Sequence, residues 1–316
     1  MKFITTTLLS LLALISLQIS SVAMAADSKP STPSIKYNPN AKFKINISEV
    51  EFRKNANGRQ LMARIYQPEG PGPFPTMLDL HGGAWNNKDR LAEQPMNKAI
   101  AESGVLVVAI DLTSAMDIPY PANVQDANYG VRWLKLNAAK WNGDPTKIGI
   151  YGSSSGGHIA ELLAMRPNDA RYNAFPLDGG RNINAKVDYI AVRSPISNPF
   201  ARYQNAVAHK RDKMMANNTN YFKPWESIHE ASPQEILDRK ELISLATPIL
   251  LMQGALDDNV LPITQEQFCK SYNAAGGKCQ YLLFEGSEHE WVAEESAQTD
   301  KARQIVKAYI ASQFPK

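Results

Sequence analysis

Six short apolar runs rich in β-branched residues return along this chain, most of them separated by amphipathic stretches of helical length. They read "TMLDLHGG" (76–83), "GVLVVAIDL" (104–112), "KIGIYGS" (147–153), "VDYIAVRSP" (187–195), "TPILLMQG" (247–254) and "CQYLLFEG" (279–286). A run of this length without polar alternation suits a strand buried on both faces. The stretches between, such as "NVQDANYGVRWLKLNAAKW" (123–141) and "PITQEQFCKSYNAAG" (262–276), are long enough to carry the chain back for a parallel neighbour. A last amphipathic segment covers 299–314. The pattern predicts an α/β architecture, a mostly parallel central sheet with helices on both faces. Ahead of it, "FKINISEVEFRKNANGRQLMARIYQPE" alternates apolar and polar residues on either side of Asn57-Gly58, which predicts an N-terminal antiparallel hairpin. No repeat or linker divides the chain, so one domain is expected over 43–316.

Residues 196–240 break the rhythm. They hold no clear strand but carry Phe200, Tyr203, Tyr221, Phe222 and Trp225. A long connection in a compact domain is functional or disordered as a rule, and aromatic content disfavours disorder. The segment is read as a small, partly helical cap over the C-terminal edge of the sheet; a surface excursion packed for stability is the alternative.

Met1-Lys2, an apolar run and the exit Ala23-Met24-Ala25 read as a secretory signal peptide cut after Ala25. A membrane anchor is the competing reading, disfavoured by the Thr and Ser that interrupt the run; no stable anchor is expected after cleavage, and the protein is expected to be periplasmic or secreted. Residues 26–42, rich in Pro, Ser, Asn and Lys, read as a lead-in. A net charge of +3 argues for neither nucleic acid nor an anionic membrane as partner. Cys269 and Cys279 are the two cysteines. In an exported protein they are candidates for a disulfide, two free thiols being the alternative. No His lies near them, which argues against a metal site.

The run "IGIYGSSSGG" (148–157) follows one of the apolar strands and precedes a good helix start. A Ser in G-x-S-x-G at a strand-to-helix turn stands exposed on a sharp elbow. Counting from Gly152 to Gly156 selects Ser154 as the nucleophile over Ser153 and Ser155. A serine hydroxyl needs a base. Of five histidines, His158 is too close in sequence to face Ser154, His209 and His229 lie in the insertion, and His81 follows a strand beside two glycines. His289 in "FEGSEHEW" stands after the last strand, at the edge where open α/β sheets bind ligands. The acid that orients it is expected in "LLMQGALDDNVLP": Asp257 is preferred and Asp258 is the alternative. "HGGAW" (81–85) follows an earlier strand, and its small residues let backbone N–H groups face a substrate. The oxyanion hole is assigned to the N–H groups of Gly83, Ala84 and Ser155.

From about residue 60 to 312 the chain resembles the α/β-hydrolase superfamily, and within it the bacterial carboxylesterases of the HGG(G) group. That group includes hormone-sensitive-lipase-like esterases and relatives of feruloyl and acetylxylan esterases. The resemblance rests on "HGGAW", "YPANVQDANYGVRWLKLNAAKWNGDPTKIGIYGSSSGG", "ASPQEIL", "TPILLMQGALDDNVLPITQEQF" and "EGSEHEW". It implies hydrolysis of a small-molecule ester through an acyl-enzyme, with no metal or organic cofactor. Three positions depart from the family pattern: Ala84 replaces a third glycine, Leu112-Thr113 replace Tyr-Arg, and Ser155 replaces Ala. They bear on substrate choice more than on catalysis.

Trp85 and the insertion aromatics Phe200, Tyr203, Tyr221 and Trp225 are expected to line the substrate pocket. Two other functions fit the same sequence: an amide-cleaving hydrolase of exopeptidase or arylformamidase type, and a catalytically silent small-molecule-binding protein on this fold.

Overall fold

A computed structural model describes residues 35–314. The segment read as a signal peptide, and the lead-in up to residue 34, lie outside the described residues. The hairpin forms from β1 (Ile45–Lys54) and β2 (Gln60–Pro68). Asn55 Oδ1 accepts the backbone N–H groups of Asn57 and Arg59 at 3.0 Å, and Gly58 sits at φ +79°, a conformation that costs glycine little.

The chain then alternates: β3 (Phe74–Leu80), α1 (Gln94–Ala101), β4 (Leu106–Ile110), α2 (Ala122–Asn137), β5 (Gly143–Ser153), α3 (Ser155–Met165) and β6 (Tyr189–Arg193). Four short helices fill the irregular segment: α4 (Pro199–Ala208), α5 (Asp212–Tyr221), α6 (Ser227–Glu230) and α7 (Pro233–Asp238). β7 (Ile249–Gly254), α8 (Pro262–Ala274), β8 (Cys279–Phe284) and α9 (Ala297–Gln313) complete the order. The eight strands lie in the order β1-β2-β4-β3-β5-β6-β7-β8. The pairs β1/β2 and β2/β4 are antiparallel and every other pair is parallel.

Side chains of a strand alternate between faces, so each central strand feeds two cores. Leu78 and Leu80, Val108 and Ile110, Ile190 and Val192 face one side, where Val131 of α2, Leu162 of α3 and Phe268 of α8 cover them. Met77, Val107, Ala191 and Leu250 face the other, against Ile100 of α1 and Val306 and Ile310 of α9. Cys269 on α8 and Cys279 at the start of β8 are joined by a disulfide. Because β3 to β8 run the same way, the loops leaving β3, β5, β7 and β8 emerge along one edge.

Candidate active site

Ser154 lies between β5 and α3 with φ +51° and ψ −114°, a region that L-residues with side chains seldom occupy. Hydrogen bonds on both sides hold it there. Its N–H donates to the Arg193 carbonyl at 2.8 Å, and its own carbonyl accepts from the N–H groups of His158 and Ile196. The elbow also lies tight against β3. A Cβ at Gly156 would stand 1.9 Å from the Leu80 carbonyl oxygen, so no larger residue fits.

His289 Nε2 is 3.0 Å from Ser154 Oγ, and His289 Nδ1 is 2.7 Å from Asp257 Oδ2. The three side chains are buried, Asp257 to 2% exposure. Asp257 Oδ1 accepts from the N–H groups of Asn259 (3.0 Å) and Val260 (2.8 Å), and Oδ2 also accepts from the Gln253 amide at 3.0 Å. Burial alone would raise the pKa of this carboxyl. The hydrogen bond and charge of His289, with the Val260 and Gln253 donors, outweigh it and hold the pKa below the usual aspartate range. Asp258, the alternative acid, points outward and pairs with Arg211 at 2.6 Å.

The loop after β3 supplies the opposite wall. Gly83, Ala84 and Trp85 take successive positive φ values of 107°, 50° and 61°. A Cβ at Gly83 would stand 2.0 Å from the Asn87 carbonyl oxygen, so glycine is required there. The turn is closed by bonds from Asn86 and Asn87 N–H to the Gly83 carbonyl. Among the described residues, the N–H groups of Gly83 and Ala84 make no backbone bond outside helices and strands. Ser155 opens α3, where the first N–H groups have no partner within the helix.

A cavity of about 530 Å³ is lined by Ser154, His289, Gly83 and Ala84. Its walls correct the sequence expectation. Phe200, Tyr203, Tyr221 and Trp225 do not line it; Arg202 of α4 and Lys213, Met214 and Asn217 of α5 do. The aromatics pack on one another and on the core instead: Tyr203 on Trp225 (4.7 Å), Phe200 on His229 (4.4 Å), and fully buried Tyr221 stacked on Trp85 (4.5 Å). The physical reason is their apolar area, which favours burial under the insertion over exposure in a wet cleft. Trp85 faces a second cavity of about 290 Å³, shared with Gly82, Leu112, Thr113, Ser155 and Ile159. All three positions that depart from the family pattern therefore line one of the two cavities.

Two contributors escaped the sequence reading. Arg193 ends the buried strand β6, is 1% exposed, and donates to the His289 carbonyl and the Ser153 hydroxyl while lying 3.4 Å from Glu93. A charged residue closing an apolar strand was the available signal. Arg202 had none, since one arginine in an irregular segment looks like surface charge. Among the described residues, no cluster of three or more His, Cys, Asp or Glu could hold a metal ion, and no helix is long and apolar enough to cross a membrane.

Comparison with known proteins gives the geometry a context. The chain is 26% identical over 198 residues to a probable carboxylic ester hydrolase, LipM, of Mycobacterium tuberculosis, covering 61% of this chain and 43% of that protein. It is 27% identical over 242 residues to a probable isoprenylcysteine alpha-carbonyl methylesterase of Oryza sativa subsp. japonica, covering 71% and 54%. The chain thus spans about half the length of the curated relatives it matches. Among solved structures, a hyperthermophilic esterase of Pyrobaculum calidifontis superposes with a TM-score of 0.69 at 22% identity, covering 87% of each chain. Esterase Est2 of Thermogutta terrifontis superposes at 0.66 and 19% identity, covering 86% of this chain and 94% of that one. The fold is the α/β-hydrolase fold. Residues 64–272 match the family model described as BD-FAE, a span running from β2 through α8; this chain belongs to the BD-FAE family.

Proposed function

We propose that the protein hydrolyses carboxylic esters of small molecules through an acyl-enzyme. The observation that carries this reading is the continuous line from Ser154 Oγ to His289 Nε2 (3.0 Å) and from His289 Nδ1 to Asp257 (2.7 Å), set on a strained elbow. Ser154 Oγ attacks the ester carbonyl carbon as its proton passes to His289 Nε2. The negative oxygen that forms is held by the N–H groups of Gly83, Ala84 and Ser155, where one such donor is worth about 3 kcal/mol. His289 then gives its proton to the departing alcohol oxygen. Water, deprotonated by the same imidazole, releases the acid and restores Ser154. Asp257 keeps Nδ1 protonated and stabilises the imidazolium while it lasts. The LipM and methylesterase relatives, both named for ester cleavage, support the reaction class.

Replacing Ser154 by Ala is expected to lower kcat on a short-chain p-nitrophenyl ester by at least about 10⁴-fold. A fluorophosphonate should label the native protein and not S154A. Retained turnover in S154A would refute the assignment. Residues 1–25 are proposed to direct export, a reading that the disulfide supports, since such bonds persist in oxidising compartments. Sequencing of the exported protein should find Ala26 at its N-terminus.

A further inference from the structure

The charges around the cavity at Ser154 nearly cancel, with one exception. Lys88 is met by Glu290 at 3.1 Å, and Arg211 by Asp258 at 2.6 Å. Lys213 and Asp212, exposed neighbours at the start of α5, carry opposite charges. Arg202 is left over. It is 5% exposed, and no carboxylate lies within ion-pair distance of it among the described residues. Its Nε donates to Asn259 Oδ1 at 2.9 Å, while Nη1 is sealed from solvent with no hydrogen-bond partner. Its guanidinium carbon stands 5.8 Å from the centre of the Trp85 ring, so the group is held from two sides.

A buried guanidinium without a counter-ion carries a large desolvation cost. Burial pulls its pKa down to about 10, and nearby Asp257 offsets part of that shift, so Arg202 is charged at neutral pH. Asp257 does not fill the vacancy. Both its oxygens are occupied by His289, Gln253 and the N–H groups of Asn259 and Val260, with Asn259 standing between the two groups.

We infer that Arg202 recognises a free carboxylate on the substrate, so that the preferred esters are half-esters or acids esterified elsewhere in the molecule. This inference rests on the esterase reading and names its substrate class. Arg202 lines the same cavity as Ser154, His289 and the Gly83-Ala84 turn, and among the described residues its Nη2 is the one guanidinium nitrogen neither hydrogen-bonded nor sealed, so one bound molecule can reach both. A guanidinium nitrogen donates a charge-assisted hydrogen bond to a carboxylate oxygen.

The test compares kcat/KM, followed by acid release, for monoethyl succinate, glutarate and adipate against ethyl esters of unbranched monocarboxylic acids of equal chain length. The native protein should favour at least one half-ester by about tenfold or more, the range expected of a charge-assisted hydrogen bond. In Arg202→Met the ratio should fall to about one, and Arg202→Lys should restore part of it. A native ratio near one overturns the inference. So does an equal loss on both ester classes in Arg202→Met, which would make Arg202 a positioning residue for the Asp257 loop. A second measurement does not depend on turnover: glutarate binding by calorimetry to the native protein and to Arg202→Met. Binding that Arg202→Met abolishes supports the carboxylate site even if no ester is cleaved, whereas absent or unchanged binding removes it.

Discussion

His158 and His289 are both buried imidazoles with both ring nitrogens hydrogen-bonded, yet the two regions can do different things. His158 Nδ1 accepts the Trp85 indole N–H at 3.2 Å, and its Nε2–H donates to the Ala231 carbonyl at 2.7 Å. An indole nitrogen only donates and a carbonyl only accepts, so this ring is locked neutral with its proton on Nε2. His289 stands between a hydroxyl and a carboxylate. The hydroxyl has a proton to give, and the carboxylate stabilises the ring that has taken it. Burial is common to both; the chemistry of the partners locks one ring as a support and suits the other to carrying a proton, the role proposed for it.

The largest expected effect separates the two by activity. Asp257→Asn replaces the acceptor at Nδ1 with a group that can favour the wrong tautomer, and kcat should fall about 10⁴-fold. His158→Gln touches no reacting atom and should leave kcat within about tenfold. Steady-state kinetics on one short-chain ester measures both. Similar losses in the two variants would break the distinction.

The strands that carry these groups were legible because each holds a short apolar run, and the runs ending at Gly254 and Phe284 put Asp257 and His289 at the same edge as Ser154. The register of the elbow was legible because glycine is sterically required at Gly156. The helix α1 (Gln94–Ala101) was not read, being only eight residues long and beginning without a side-chain N-cap hydrogen bond. The insertion was misread in one respect. Its aromatics signalled order correctly, but a ring that signals a pocket and a ring that fills a core look alike in one dimension. Tyr221 shows why: its hydroxyl bonds Asn123 at 2.7 Å and its face stacks on Trp85, partners roughly 100 or more residues away. The polar walls were invisible for the same reason, since Arg202 acquires meaning only when β7's loop and α4 bring it beside Asn259.

A smaller effect separates the histidines by pH. Burial, partly offset by the Ala231 carbonyl and Glu230, pulls the pKa of His158 down to about 4. In the unfolded chain the ring takes a proton below about 6.5. Above that value both states are neutral and His158 adds no pH dependence. As pH falls from about 6.5 to about 4 the unfolded state binds the proton and the native state does not, so stability is lost across that window and levels off below it. Between pH 7 and 4.5 the loss from this ring should be about 2–3 kcal/mol. Urea unfolding of the native protein and of His158→Gln at the two pH values isolates it, because buried carboxyls such as Glu161 titrate alike in both. Equal pH dependence in the two proteins would mean that His158 is not the locked neutral ring described here.

The smallest effect lies in the lock itself. Trp85→Phe keeps an aromatic ring against Tyr221 but removes the only N–H facing His158 Nδ1 among the described residues. A buried acceptor left without a partner should cost about 1–2 kcal/mol at pH 7. With no donor opposing it, Nδ1 also becomes easier to protonate, so the native pKa of the ring should rise toward the unfolded value. The two consequences have opposite signs in acid: the variant starts less stable at pH 7 but loses less on going to pH 4.5. Urea curves that converge as pH falls therefore report the indole bond specifically, whereas curves displaced by a constant amount would report only poorer packing. Nitrogen-15 shifts of the His158 ring supply the independent check, since the Nε2–H form is required for either acid prediction to stand.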